Sequence, residues 1–319
     1  MSKLAYEPQG VIPACLMPFN SDMSVNERAY RSHLTDLLSV DGITGITING
    51  HAAEVHALTL EEQRRAVTIT KEVVGDRVAT IVGVYTESSL EAGRIAAHAQ
   101  AEGAEALLVF PPSFMSLGGH LRPEMTEIHL KHIADASDLP IILFQYPLSS
   151  NLSYPVESLL ELCRKFPTIR AVKDQIGDGN QHERQLRELR ALDRPVRTLT
   201  THSAWLLGSL AMGCDGLLSG AGSVIADLQV ALFRAVQAGD LTRARQINDR
   251  IYPTVRAFYD APLLDMHNRM KEALVLLGRM ADAHVRPPLV KPQPEEIAKI
   301  GRMMELAGLT SETVYRHVS

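Results

Sequence analysis

Between Val11 and Gly239, short aliphatic runs alternate eight times with longer amphipathic segments rich in Ala, Leu, Glu and Arg. A parallel strand cannot return through a tight turn, so each run needs a helical crossover before the next; eight such units predict a closed (β/α)8 barrel. The runs are Val11–Pro18, Gly45–Asn49, Val78–Val84, Ala106–Phe110, Ile141–Tyr146, Ile169–Lys173, Val196–Thr201 and Gly216–Ser219. Leu90, Ile95 and Ala99 fall at near-helical spacing between the third and fourth runs, and Gly103 supplies a stop. Past Gly239 the strand signals cease. Residues 239–319 read as three helices interrupted by the Pro-rich stretch Val285–Pro292, which predicts a catalytic barrel over 1–238 and a helical extension after it.

The composition, 45% hydrophobic but only 5% aromatic, suits one large α/β domain with an appendage. The net charge is −5 and the basic residues are scattered, which points away from nucleic acid and anionic membranes and toward a small-molecule ligand. Met1–Gly10 lacks a basic stretch followed by an apolar core, and no apolar run approaches the ~20 residues that span a bilayer, so a cytoplasmic protein is expected. Cys15, Cys163 and Cys214 lie far apart without paired spacing and read as small hydrophobes, neither a disulfide framework nor a zinc site.

In a barrel of this kind, the residues that close each strand build the active site. Lys173 ends the sixth run, Ile169–Lys173. An amine turned from a strand end into a partly dry cavity has its pKa lowered and becomes a nucleophile for carbonyl carbon. The alternative is a strand-end lysine that reaches solvent or a carboxylate such as Asp174. The same filter selects His51–Glu54, Tyr85, Pro111–Phe114, Phe144–Ser149, His202 and Gly220–Gly222.

Taken together, these segments resemble the dihydrodipicolinate synthase / N-acetylneuraminate lyase family of Schiff-base class I aldolases. The family's Gly-Thr-Thr-Gly-Glu loop is similar to Gly50-His51-Ala52-Ala53-Glu54, with Leu58 following and Thr59-Leu60-Glu61-Glu62-Gln63 opening the next helix. Its Tyr-Asn-x-Pro resembles Phe144-Gln145-Tyr146-Pro147, its Gly-Ile-Lys-Glu resembles Ala171-Val172-Lys173-Asp174, and its Arg-Pro-Pro resembles Arg286-Pro287-Pro288. The likeness extends over about residues 9–308. It implies a TIM barrel with a C-terminal helical domain, an imine on Lys173, a homotetramer, and no metal or organic cofactor.

Where the sequence departs from the family, the substrate is at issue. The family's relay tyrosine falls on Phe144, and the second relay tyrosine, supplied across a dimer interface, falls near Ser113 or Phe114. The threonine pair that holds the keto-acid carboxylate falls on His51 and Ala52, leaving main-chain amides and an imidazole. The arginine that receives a second carboxylate in dihydrodipicolinate synthases falls on Ser149.

A proton shuttle must therefore come from elsewhere. Tyr146, two residues beyond Phe144 and on the same strand face, is the first candidate, against a tyrosine that only packs under a loop. His51 and Tyr85 follow. His51 would donate to the carboxylate or exchange a proton near neutral pH, or be an ordinary loop histidine. Ser113, His202 and Phe144 complete the expected lining, with Gly220 letting the backbone approach the ligand or simply making a turn. Glu54 is expected to hydrogen-bond loop amides and hold the loop's shape. The sequence thus predicts a Schiff-base lyase acting on pyruvate or another 2-oxo acid, an aldolase or dehydratase. A 4-hydroxy-tetrahydrodipicolinate synthase is the alternative, and a non-catalytic keto-acid-binding barrel is the alternative of another class.

Overall fold

The structure is a computed structural model that describes residues 6–201 and 203–311. Its eight strands are β1 (Gly10–Pro13), β2 (Gly45–Ile48), β3 (Ala79–Val84), β4 (Ala106–Val109), β5 (Ile141–Gln145), β6 (Ile169–Asp174), β7 (Arg197–Thr200) and β8 (Gly216–Ser219). All neighbours pair in parallel, in the order β1-β8-β7-β6-β5-β4-β3-β2. The ring closes where β1 meets β2: Val11 bridges Ile43, Ala14 bridges Thr47, and the Cys15 amide donates to the Thr47 carbonyl at 2.9 Å. The first strand is four residues long, shorter than the Val11–Pro18 run. Its partner ladders end at Ser219 and Ile48, so beyond Ala14 and Cys15 the backbone has no strand to pair with and turns away.

Helices α1 (Glu27–Leu38), α2 (Leu60–Val74), α3 (Ser89–Ala101), α4 (Pro123–Ala134), α5 (Val156–Lys165), α6 (Gly179–Arg190), α7 (Leu206–Ala211) and α8 (Gly222–Gln237) are the crossovers. Local chemistry sets their starts. Thr59 and Glu62 form a reciprocal capping box at α2, the Thr59 amide donating to Glu62 at 2.9 Å, and Ser88 caps α3 by accepting from the Glu91 amide at 3.3 Å. Gly103 stops α3 with φ near +83°, a conformation that costs a side-chain-bearing residue energy. Leu90 does not belong to the buried stripe of α3: it is exposed, and Ala92, Ile95, Ala96 and Ala99 pack inward instead. Helical spacing alone cannot say which of two adjacent stripes faces the barrel.

Three further helices follow, α9 (Leu241–Phe258), α10 (Met266–Leu276) and α11 (Pro294–Leu306). Residues 312–319 of the expected extension lie outside the described residues. Among the described residues no helix is long and apolar enough to cross a membrane.

Candidate active site

Alternation along β6 decides where Lys173 points. Asp174 faces outward, where its carboxylate accepts from the Ile176 amide at 2.7 Å and from Gln185 at 3.0 Å, and sits 2.6 Å from His182 Nδ1. Lys173 therefore faces the lumen, in register with Phe144 on β5 and Leu199 on β7. The side chain is 7% exposed, and its Nζ lies 4.4 Å above the Phe144 ring. It has no hydrogen-bond or ion-pair partner among the described residues, so Asp174 is not its carboxylate. Burial without a counter-charge lowers its pKa from 10.5 to about 7.

Phe144 belongs to a cluster of five rings. Phe110, Phe144, Tyr146, His51 and Tyr85 contact one another, with His51 as the hub: its centroid is 4.7 Å from Phe110, 5.6 Å from Tyr85 and 5.8 Å from Phe144. The Tyr146 hydroxyl and His51 Nε2 are 2.8 Å apart, a hydrogen bond whose donor is set by the imidazole tautomer. Burial, then the Lys173 charge, holds His51 down to about 3, so it stays neutral and does not titrate near pH 7 as the sequence had suggested. Burial also pushes the Tyr146 phenol well above its ordinary range. Both groups are therefore neutral, joined by one short hydrogen bond. Phe110, which closes the fourth aliphatic run, joins the cluster although the strand-end filter points only to Pro111–Phe114, one residue later.

The strand-two loop is a pair of 3-10 turns, His51–Ala53 and Val55–Ala57. The leading amides of such a turn, here those of His51 and Ala52, have no acceptor inside it. Ala52 is buried beside Gly220, where an added Cβ would lie 3.6 Å from that of Ala52, an ordinary contact. Glu54, at φ near +53°, accepts none of its own loop's amides among the described residues. Its carboxylate instead pairs with Lys271 of α10 and accepts the Arg286 amide at 3.0 Å. Lys271 is fully buried, donates to the His284 carbonyl at 2.7 Å, and is lowered to about 8, chiefly by desolvation and despite Glu54. The Arg286 guanidinium donates to the carbonyls of Met23 and Ala57 and to both oxygens of Glu62. Both cations also lie against the Phe19 ring, Lys271 at 4.4 Å and Arg286 at 4.5 Å from its centroid. Through these bonds the Arg-Pro-Pro segment and α10 fasten the strand-two loop from behind, a role that nothing local in the sequence around Glu54 announces.

Ser113 is not brought to the amine. Its hydroxyl is bonded to Glu87, whose carboxylate also accepts the amides of Ser113 at 3.1 Å and Phe114 at 3.2 Å, tying the loop after β4 to the loop after β3. Tyr85 stands in the ring cluster, its phenol raised by burial and by Glu87. His202 lies outside the described residues.

A sequence model described as the Dihydrodipicolinate synthetase family matches residues 7–307. The chain is 31% identical over 304 residues to a 4-hydroxy-tetrahydrodipicolinate synthase of Hyphomonas neptunium, with 95% of this chain and 99% of the relative covered. It is 29% identical over 312 residues to the enzyme of that name from Methanopyrus kandleri, covering 97% and 99%. Among solved structures, the 4-hydroxy-tetrahydrodipicolinate synthase of Methylacidiphilum fumariolicum SolV superposes with a TM-score of 0.83 at 25% identity, over 97% of this chain and 98% of that one. A prophage protein of E. coli K12 solved in complex with pyruvate has the same fold, with a TM-score of 0.86 at 22% identity over 94% and 99%.

Proposed function

The chain belongs to the dihydrodipicolinate synthetase family, and from that premise we propose that it is a Schiff-base lyase in which the Lys173 amine condenses with pyruvate or another 2-oxo acid. The observation that carries the assignment is the amine itself: buried in the lumen, without a described partner, and lowered to about 7, so that about half of it is unprotonated at neutral pH. Lys271, the other buried lysine among the described residues, is ion-paired with Glu54 behind the loop and has no free lone pair to offer.

The lone pair of Nζ adds to the ketone carbon, the carbonyl oxygen takes up protons and leaves as water, and a cationic imine remains. This cation withdraws electrons from the neighbouring carbon, which gives up a proton to become an enamine. Carbon–carbon cleavage, condensation and dehydration all start there. With Phe144 in the family's tyrosine position, the Tyr146–His51 pair is the shuttle: the phenol gives a proton and recovers it while the imidazole shares its hydrogen bond. The carboxylate is received by the amides of His51 and Ala52. Ala52, Tyr85, Phe144 and Gly220 shape the space around it; Glu54 holds the loop through Lys271 and Arg286.

The 4-hydroxy-tetrahydrodipicolinate synthase reaction is the second reading. The names of the relatives favour it; Phe144 and Ser149 speak for a different partner aldehyde. Catalysis is assigned to the barrel, residues 1–238, with 239–319 as the helical extension. A homo-oligomer, a tetramer by family likeness, is supported by exposed Phe114, Leu117, Leu121 and Ile128 around the start of α4. A cytoplasmic location is supported by three unpaired, buried cysteines.

Borohydride reduction in the presence of pyruvate tests the assignment. The intact mass rises by one reduced pyruvate, and Lys173→Ala abolishes the increase. An undiminished adduct in that variant removes Lys173 from the chemistry.

A further inference from the structure

The loops that follow the eight strands form the mouth above Lys173, and they are almost without fixed positive charge. Among their described residues, covering 14–26, 49–59, 85–88, 110–122, 146–155, 175–178, 201, 203–205 and 220–221, the only Lys or Arg is Arg122. Arg122 is exposed and paired with Glu124. The acidic groups of these loops are committed within the protein: Asp22 to Ser24, Glu54 to Lys271, Glu87 to the Ser113 and Phe114 amides, and Asp178 to the Gln181 amide that it caps. Lys271 and Arg286 are turned to the far side of the strand-two loop.

What the mouth does present is ring surface. His51, Tyr85 and Tyr146 are partly exposed above the buried rings of Phe110 and Phe144. His51 is neutral, and Tyr85 has a hydroxyl with no partner among the described residues. A carboxylate or phosphate on the far end of a substrate would lose water here and find no cation to replace it, a desolvation that goes unrepaid. An aromatic ring would meet edges and faces at the separations that rings favour.

We infer that the second carbonyl compound, the one beyond the bond made or broken, is a neutral aromatic aldehyde. The inference rests on the imine reading of Lys173. In the synthetic direction, the pyruvate methyl gives a proton to the shuttle as the enamine forms. The enamine carbon then attacks the aldehyde carbon, the electron pair of the new bond coming from the enamine and that of the C=O moving to oxygen. The oxygen takes the proton back from the shuttle, and water hydrolyses the regenerated imine. The product is a 4-aryl-4-hydroxy-2-oxo acid, and cleavage runs the same steps in reverse.

The test uses the full-length protein and begins with the pyruvate–borohydride adduct, then compares kcat/KM for benzaldehyde and for succinic semialdehyde at saturating pyruvate. The expected result is an adduct together with at least a tenfold preference for benzaldehyde. Tyr85→Leu, which removes a ring from the partly exposed wall, is expected to reduce that preference several-fold. An adduct accompanied by equal or better use of the semialdehyde, or by turnover of neither aldehyde, overturns the inference and leaves the imine standing. Absence of the adduct overturns both.

Discussion

Lys173→Met removes the amine while keeping a chain of similar length against Phe144, and the structure sets how this changes stability with pH. In the unfolded chain the amine titrates near 10.5; in the barrel, burial brings it to about 7. Between those values the unfolded chain carries a proton that the folded chain has shed, so the stability of the parent protein rises with pH across that interval. Below about 7 both states hold the proton, and the folded state bears the whole cost of a buried charge. At about 1.4 kcal/mol per pH unit, the drop from 10.5 to about 7 amounts to about 5 kcal/mol. At pH 9 only the stretch up to 10.5 still counts, about 2 kcal/mol. The variant is free of this term, so its advantage over the parent is larger at pH 6 than at pH 9, by about 3 kcal/mol. Urea titrations of both proteins at the two pH values, at one protein concentration, measure the difference. An advantage that is the same at pH 6 and pH 9 would refute the account of a desolvated, unpaired amine.

Other perturbations follow the same geometry. Tyr146→Phe deletes the oxygen 2.8 Å from His51, and kcat is expected to fall about 10²- to 10⁴-fold while borohydride trapping with pyruvate persists; an unchanged kcat removes Tyr146 from the shuttle. Glu54→Gln leaves Lys271 buried without its carboxylate, with an expected loss of about 3 kcal/mol in unfolding free energy and a raised KM for pyruvate as the strand-two loop loosens; a melting temperature equal to the parent's would show that the pair holds nothing. The pH profile of kcat/KM should rise through about 7 as Lys173 sheds its proton and show no inflection from His51 above pH 5, because that ring titrates near 3. A His51→Asn profile lacking an inflection that the parent shows between pH 5 and 7 would contradict this.

The barrel was legible because parallel strands buried on both faces must be aliphatic, and the crossovers between them must be amphipathic; both demands are written locally. The place of Lys173 at the lumen end of β6 was legible for the same reason, as the charge that ends such a run. Strand ends were less so: β1 stops where its neighbours' ladders stop, which depends on residues more than 30 positions away. The site's supporting contacts were hidden for a related cause. Tyr146 meets His51 across 95 positions, Glu54 meets Lys271 across 217, and the Arg286 amide reaches Glu54 across 232. Residue types alone do not specify such partners; the closure of the ring and the packing of α10 against the loop do. Ser113 was legible only as a residue near the mouth; Glu87, placed beside it by the end of β3, holds its hydroxyl.

Crystals soaked with pyruvate give the most direct view of the central claim. The account predicts continuous electron density from Lys173 Nζ to the ketone carbon, with the carboxylate against the His51 and Ala52 amides. A free, outward-turned Lys173 with pyruvate bound elsewhere, or joined to Lys271, would contradict it.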